Sequence, residues 1–301
     1  MADRRLPDIP LFENPDAPAP GHPDAAIRGF VAEMREAGGA RLDLGDAARI
    51  LCDQAVADTE PYFTTRGAQR VQDVWRASGA VRALALWPRL HEALAAAYGR
   101  RPFAFQTLNF REGSQQELHS DMIHFSSLPE RFMCGVWIAL EDIEPGSGPL
   151  TYYPGSHRLA PLTMREAGVN TPRPRPEDYG HHFVPRFAER VQASGIAPRE
   201  LLIPKGWAFV WAANLAHGGA PIARPGSTRR SLVVHCYFDE GLYFTPMTSD
   251  VEGGRLSLRL PPDIAAGGWR WPRADGRRAR VPLKTLAAAA WRELANRPHL
   301  F

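Results

Sequence analysis

The sequence predicts a mainly β protein with flanking helices, its core an antiparallel sandwich or jelly roll. Three observations carry this. Residues from about 102 to 245 break into short β-type segments separated by turn chemistry such as "EPGSGP" and "ARPGST", without regular helices between them. The region before it, 24–100, instead shows helical apolar periodicity. No apolar run approaches the roughly 18 to 20 residues needed to span a bilayer.

Taken in order, the proline-rich stretch 1–23 predicts an extended N-terminal arm rather than a core element. A single domain follows over 24–301, opening with a helical flank at 24–100. In "DAAIRGFVAEMREAG", Ile27, Phe30, Val31 and Met34 recur on one helical face, Asp24 is placed to cap and Gly38 to terminate. "DAARILCDQAVADTE" and "VRALALWPRLHEALAAAYG" are two more helices, with Pro88 marking a kink or a fresh start. The core, 101–245, reads as strands in "RPFAFQTLNF", "ELHSDMIHF", "RFMCGVWIAL", "GPLTYYPGS", "GWAFVWA" and "RRSLVVHCYF". Within it, the proline-rich segment 160–200 is a loop or partly helical insertion of the kind that forms lids. The extension 246–301 ends in "PLKTLAAAAWRELANR", whose Leu283, Leu286, Ala290, Trp291 and Leu294 are expected to face and cover the sheet.

Composition excludes several function classes. The formal charge of +3 comes from 36 basic and 33 acidic residues spread along the chain, with one dense basic run at 273–280, so no nucleic-acid or membrane partner is indicated. Cys52, Cys134 and Cys236 form no CxxC pair and follow no secretory leader, which predicts buried thiols in a reducing cytoplasm.

The chemistry concentrates in "HSDMIHF". In a strand, His119 and Asp121 project from one face, so both are available to one metal ion. His217, at the end of a strand-like run and followed by Gly218 and Gly219, is the candidate third ligand, the glycines leaving room beside the metal. Two imidazoles and one carboxylate on one side of an octahedral ion leave three positions open, the arrangement of non-haem Fe(II) oxygenases. Without a nearby thiolate, a structural zinc site is disfavoured. Twelve residues beyond His217, Arg229 shares a strand face with Ser231, Val233, His235 and Tyr237. A buried arginine needs an anion. A dicarboxylate that chelates the metal at one end and meets Arg229 at the other satisfies both. A one-residue slip would bring Arg230 inward instead.

His119-Ser120-Asp121, Trp137 eighteen residues after His119, "GPLTYYPGSHR", and His217 followed by "RRSLVVH" together resemble the phytanoyl-CoA dioxygenase family of Fe(II)- and 2-oxoglutarate-dependent oxygenases, over about residues 100–240. The resemblance implies a double-stranded β-helix (cupin-like) core, with His119, Asp121 and His217 as iron ligands and catalytic centre. It implies Arg229 as partner of the distal 2-oxoglutarate carboxylate, Trp137 against that co-substrate and Asn109 as a polar contact to it. Fe(II), 2-oxoglutarate and O2 are the implied cofactors, a small organic molecule the substrate, and succinate and CO2 the co-products. In related halogenating enzymes a small residue replaces the carboxylate ligand, so retention of Asp121 favours hydroxylation. Two other readings stay open here: a cupin-like metal enzyme that does not use 2-oxoglutarate, and a non-catalytic binding module of the same fold.

Overall fold

A computed structural model describes residues 6–17, 21–171, 174–274 and 276–295. Helix α1 (Ala25–Ala37) buries Ile27, Phe30, Val31 and Met34, is capped through Asp24, and ends at Gly38 with φ 74°. Strand β1 (Gly39–Asp43), α2 (Asp46–Thr64), β2 (Arg70–Gln72), α3 (Gly79–Ala85) and α4 (Pro88–Tyr98) follow. Pro88 opens α4, where its missing N–H costs nothing. The β region then supplies β3 (Pro102–Phe110), β4 (Ser126–Leu128), β5 (Met133–Ala139), β6 (Leu150–Tyr152), β7 (Arg199–Glu200), β8 (Trp207–Ala212), β9 (His217–Gly219), β10 (Ser231–Phe238) and β11 (Leu242–Phe244).

Six strands form one antiparallel sheet in the order β1-β8-β5-β10-β3-β2, beside a small sheet β7-β6-β9 and the pair β11-β4. The large sheet has two buried faces. On one, Leu232, Val234, Cys236 and Phe238 of β10 join Val136 and Ile138 of β5 in a core with α1–α4. On the other, Val233, Trp137, Phe209 and Trp211 meet Leu150 and Tyr152 of the small sheet and Leu201 just beyond it. This alternation places the odd-numbered residues of β10 opposite the helices. The three cysteines are free and buried, and burial pushes the Cys52 thiol up to about 11. No helix among the described residues is long and apolar enough to cross a membrane.

Several expectations are corrected. The N-terminal segment supplies a core residue. Phe12 is buried, its N–H donates to the Ala97 carbonyl, and its ring meets Tyr98 edge-on. In the C-terminal helix Leu283–Ala295, the faces differ from expectation: Leu283 and Trp291 are 83% and 72% exposed, while Thr285 and Ala289 are buried. The small Thr285 and Ala289 pair, one turn apart, permits a close approach that the larger residues do not. The side chain of Leu294, expected on the buried face, lies outside the described residues. The segment "ELHSDMIHF" is not a continuous strand; His119 makes a lone bridge and Asp121–Ile123 is a 3-10 turn.

Gly38 illustrates how tightly the helical flank is joined to the core. A Cβ there would lie 2.2 Å from Nδ1 of buried His157, on a backbone already in the left-handed region. Gly38→Ala is expected to lower stability by about 2–4 kcal/mol, from left-handed strain plus overpacking. Urea unfolding should show a lower midpoint at an unchanged slope; a wild-type midpoint would contradict it.

Candidate metal centre

The backbone brings the first two imidazoles together. His119 and His217 exchange both backbone hydrogen bonds, each 2.9 Å, and their rings sit 4.3 Å apart. The glycines after His217 make this pairing possible: a Cβ on Gly218 would meet the Gln116 carbonyl at 2.9 Å, and one on Gly219 the Gln115 nitrogen at 2.7 Å. Their lack of side chains therefore admits the neighbouring backbone, and Gly218 also lines the cavity beside the three residues. The 3-10 turn then carries Asp121 to the same place. One nitrogen from each histidine and one Asp121 oxygen lie within 4.8 Å of one another, all three residues buried. Asp121 Oδ1 is 3.9 Å from His119 Nε2 and 4.0 Å from His217 Nε2.

The donor atoms are held ready. His119 Nδ1 lies 2.8 Å from the Glu117 carbonyl and His217 Nδ1 3.0 Å from that of Leu215, so each Nδ1–H is used and each Nε2 keeps its lone pair; that of His119 accepts from the Gln116 side-chain amide at 3.1 Å, a bond a metal would replace. Burial, with the neighbouring His217, pulls the His119 imidazole down to about 4, against the pull of Asp121; burial also lowers His217. Burial works to raise the Asp121 carboxyl, yet contact with His235 and the three surrounding imidazoles holds it well below the usual carboxylate range. Two neutral imidazoles and an ionised carboxylate are the protonation states a divalent metal requires.

These residues open on a cavity of about 480 Å³ that Arg229 and Trp137 also line. Arg229 is 2% exposed, with its guanidinium 5.3 Å from the Trp137 ring centre and 5.8 Å from that of Phe110. Its Nη2 donates to the Glu112 carbonyl at 3.3 Å and its Nε has no partner among the described residues. Burial pulls its pKa down to about 10, resisted only by distant Glu141. Arg230 takes the opposite side and pairs with Glu60 and Glu141, which removes the slipped register.

Asn109 is placed elsewhere. It pairs across the sheet with Leu232, which faces the helices, and it is not among the cavity-lining residues. The reason is a β-bulge: opposite His235 and Cys236, β3 skips from Gln106 to Ala104. An inserted residue shifts the alternation, so Gln106, Leu108 and Phe110 line the cavity and Asn109 turns away. Both atoms of its buried amide lack partners among the described residues. Sequence reasoning also missed Trp211, whose Nε1–H donates to Asp121 Oδ2 at 2.8 Å. His235, on the strand face shared with Arg229, places its Nε2 3.6 Å from that same oxygen. Neither contact has a local signal, because the partners are separated by about 90 residues or more along the chain. From the insertion, Tyr179 reaches His124 at the cavity wall, ring centres 4.7 Å apart. A second cavity of about 450 Å³, walled by Leu162, Phe183 and Phe187, lies behind the Asp121 turn and receives none of the three metal-binding residues.

The sequence profile of the phytanoyl-CoA dioxygenase family matches residues 25–231. The chain belongs to the phytanoyl-CoA dioxygenase family. No curated protein matches the sequence. Among solved structures similar to this family member, the epimerase SnoN in complex with Fe3+, alpha ketoglutarate and nogalamycin RO is 21% identical, with a TM-score of 0.55 over 73% of this chain and 86% of that one. The non-heme alpha ketoglutarate dependent carbocyclase SnoK from nogalamycin biosynthesis is 17% identical, TM-score 0.57, covering 80% and 93%. EctD from S. alaskensis with bound Fe is 19% identical, TM-score 0.55, covering 78% and 82%. At these identities the likeness establishes the shared fold.

Proposed function

We propose that this phytanoyl-CoA dioxygenase family member is an Fe(II)- and 2-oxoglutarate-dependent dioxygenase that hydroxylates a small organic substrate, with succinate and CO2 as co-products. The reading takes the two sheets as a double-stranded β-helix, the segment 160–200 as its lid and the cytoplasm as its setting. The observation that carries it is Arg229: a buried guanidinium without a carboxylate partner among the described residues, in the same cavity as two neutral imidazoles and an ionised carboxylate. Burying such a charge is costly unless an anion joins it. The donor set fits Fe(II), and the orphaned guanidinium fits the far carboxylate of a dicarboxylate co-substrate.

In this reading His119, Asp121 and His217 hold the metal as its catalytic ligands. Trp137 forms the wall against which the co-substrate lies, and Arg229 binds its distal carboxylate. Iron with 2-oxoglutarate and O2 supplies oxidative decarboxylation and the power to oxidise a carbon centre. The chain's own contribution is to orient the co-substrate and keep water out of a site walled by Phe110, Trp137 and Val233. Retention of Asp121 supports hydroxylation over halogenation. SnoN and SnoK are named as an epimerase and a carbocyclase, so the same machinery also serves other oxidative outcomes in proteins of this fold.

The test is an anaerobic titration of metal-free protein with Fe(II), then 2-oxoglutarate. A weak visible metal-to-ligand charge-transfer band is expected on the second addition. Iron binding without that band would favour the cupin-like enzyme that does not use 2-oxoglutarate. Absence of iron binding would leave a binding module.

A further inference from the structure

Trp211 lies in the middle of a cross-strand rung. Gly135 on β5 is opposite Trp211 on β8 and, on its other side, opposite His235 on β10. With a side chain at 135 this rung would not close: a Cβ would lie 2.2 Å from the indole Cε2 and 2.6 Å from Nε1. The glycine thus forms a slot into which the indole lies down across its neighbour strand. From there Nε1–H reaches Asp121 Oδ2 at 2.8 Å, while the ring packs 4.7 Å from that of His217. His235 stands 3.6 Å from the same oxygen. The other oxygen, Oδ1, is left nearly equidistant from the two imidazole Nε2 atoms, at 3.9 and 4.0 Å. Trp211 is 2% exposed and Asp121 5%, so the bond is buried.

We propose that Trp211 is a positioning residue that makes Asp121 a one-oxygen ligand, and that Gly135 exists to admit it. The inference rests on the metal-centre reading above. A carboxylate that turned to give both oxygens to the ion would strand the buried indole N–H, and an unmade buried hydrogen bond is expensive. Holding Oδ2 therefore limits the chain to three donor atoms. That keeps free the positions that a chelating co-substrate and O2 require. Without the N–H, the carboxylate is free to occupy one of those positions, so co-substrate binding is expected to suffer at least as much as metal binding.

The test uses Co(II), whose ligand-field spectrum reports coordination, with 2-oxoglutarate titrated onto the Co(II)-loaded protein. Trp211→Phe is expected to alter the visible spectrum and to weaken 2-oxoglutarate binding about 10- to 100-fold, the range found when groups that orient metal ligands are removed. Gly135→Ala, which displaces the indole, should reproduce both effects. Should either variant fail to fold, site-specific benzothienylalanine at position 211 deletes the N–H while keeping the shape, and the same changes are expected. A wild-type spectrum and wild-type 2-oxoglutarate affinity in Trp211→Phe or in the benzothienyl protein would overturn the inference and leave the indole as packing. That result differs from failure of the metal-centre reading, in which the wild type itself binds no Co(II) and both fall together.

Discussion

Replacing His217 by alanine should weaken Fe(II) binding by more than about 100-fold while the protein stays folded. Groups that merely orient metal ligands cost about 10- to 100-fold when removed, so loss of a ligand should cost more. The remaining His119 and Asp121 cannot share the ion's charge with a third donor. The fold should survive because the link between the 119 and 217 segments is made by backbone: His119 and His217 exchange two main-chain hydrogen bonds that an alanine keeps. The lost imidazole does leave a space beside Trp211, so a modest fall in melting temperature is expected. Anaerobic Fe(II) titration with a parallel thermal melt reads both. Wild-type iron affinity in this variant would sink the ligand assignment outright.

Arg229→Met should separate two effects that usually travel together. Without ligands, the variant is expected to be as stable as the wild type or more so, because the guanidinium it removes is buried against Phe110 and Trp137 without a counter-ion among the described residues. With Fe(II) present, the variant should need roughly 30- to 1,000-fold more 2-oxoglutarate for the charge-transfer band, equivalent to about 2–4 kcal/mol for a buried charge pair with one partner cut away. The wild type should then gain thermal stability from 2-oxoglutarate at concentrations where the variant gains none. A variant that binds 2-oxoglutarate as well as the wild type would point to a metal enzyme that does not use it.

The ligand residues were legible in the sequence because chemistry restricts them to few residue types. A histidine and an aspartate two residues apart, a later histidine before two glycines, and an arginine twelve residues beyond it narrow the possibilities without reference to structure. His119 and Asp121 meet through a bridge and a 3-10 turn, not through strand alternation, and the glycines also make room for the 115–117 backbone. Asn109 shows the limit of a position carried over from a resemblance: in this chain it pairs with Leu232, on the helical side of the sheet. The C-terminal helix shows the limit of periodicity, which reveals an apolar stripe but not whether anything packs on it.

By itself, the sequence determined the class of the protein, the helical flank and the donors of the centre, since each depends on local pattern or on the identity of a side chain. The tertiary structure alone decided which oxygen of Asp121 faces the imidazoles, that Arg229 is buried against Trp137 and Phe110, and that Trp211 lies over Gly135. Those facts depend on register between strands far apart in the chain. Register is set by the packing of whole faces, which no short window of sequence contains.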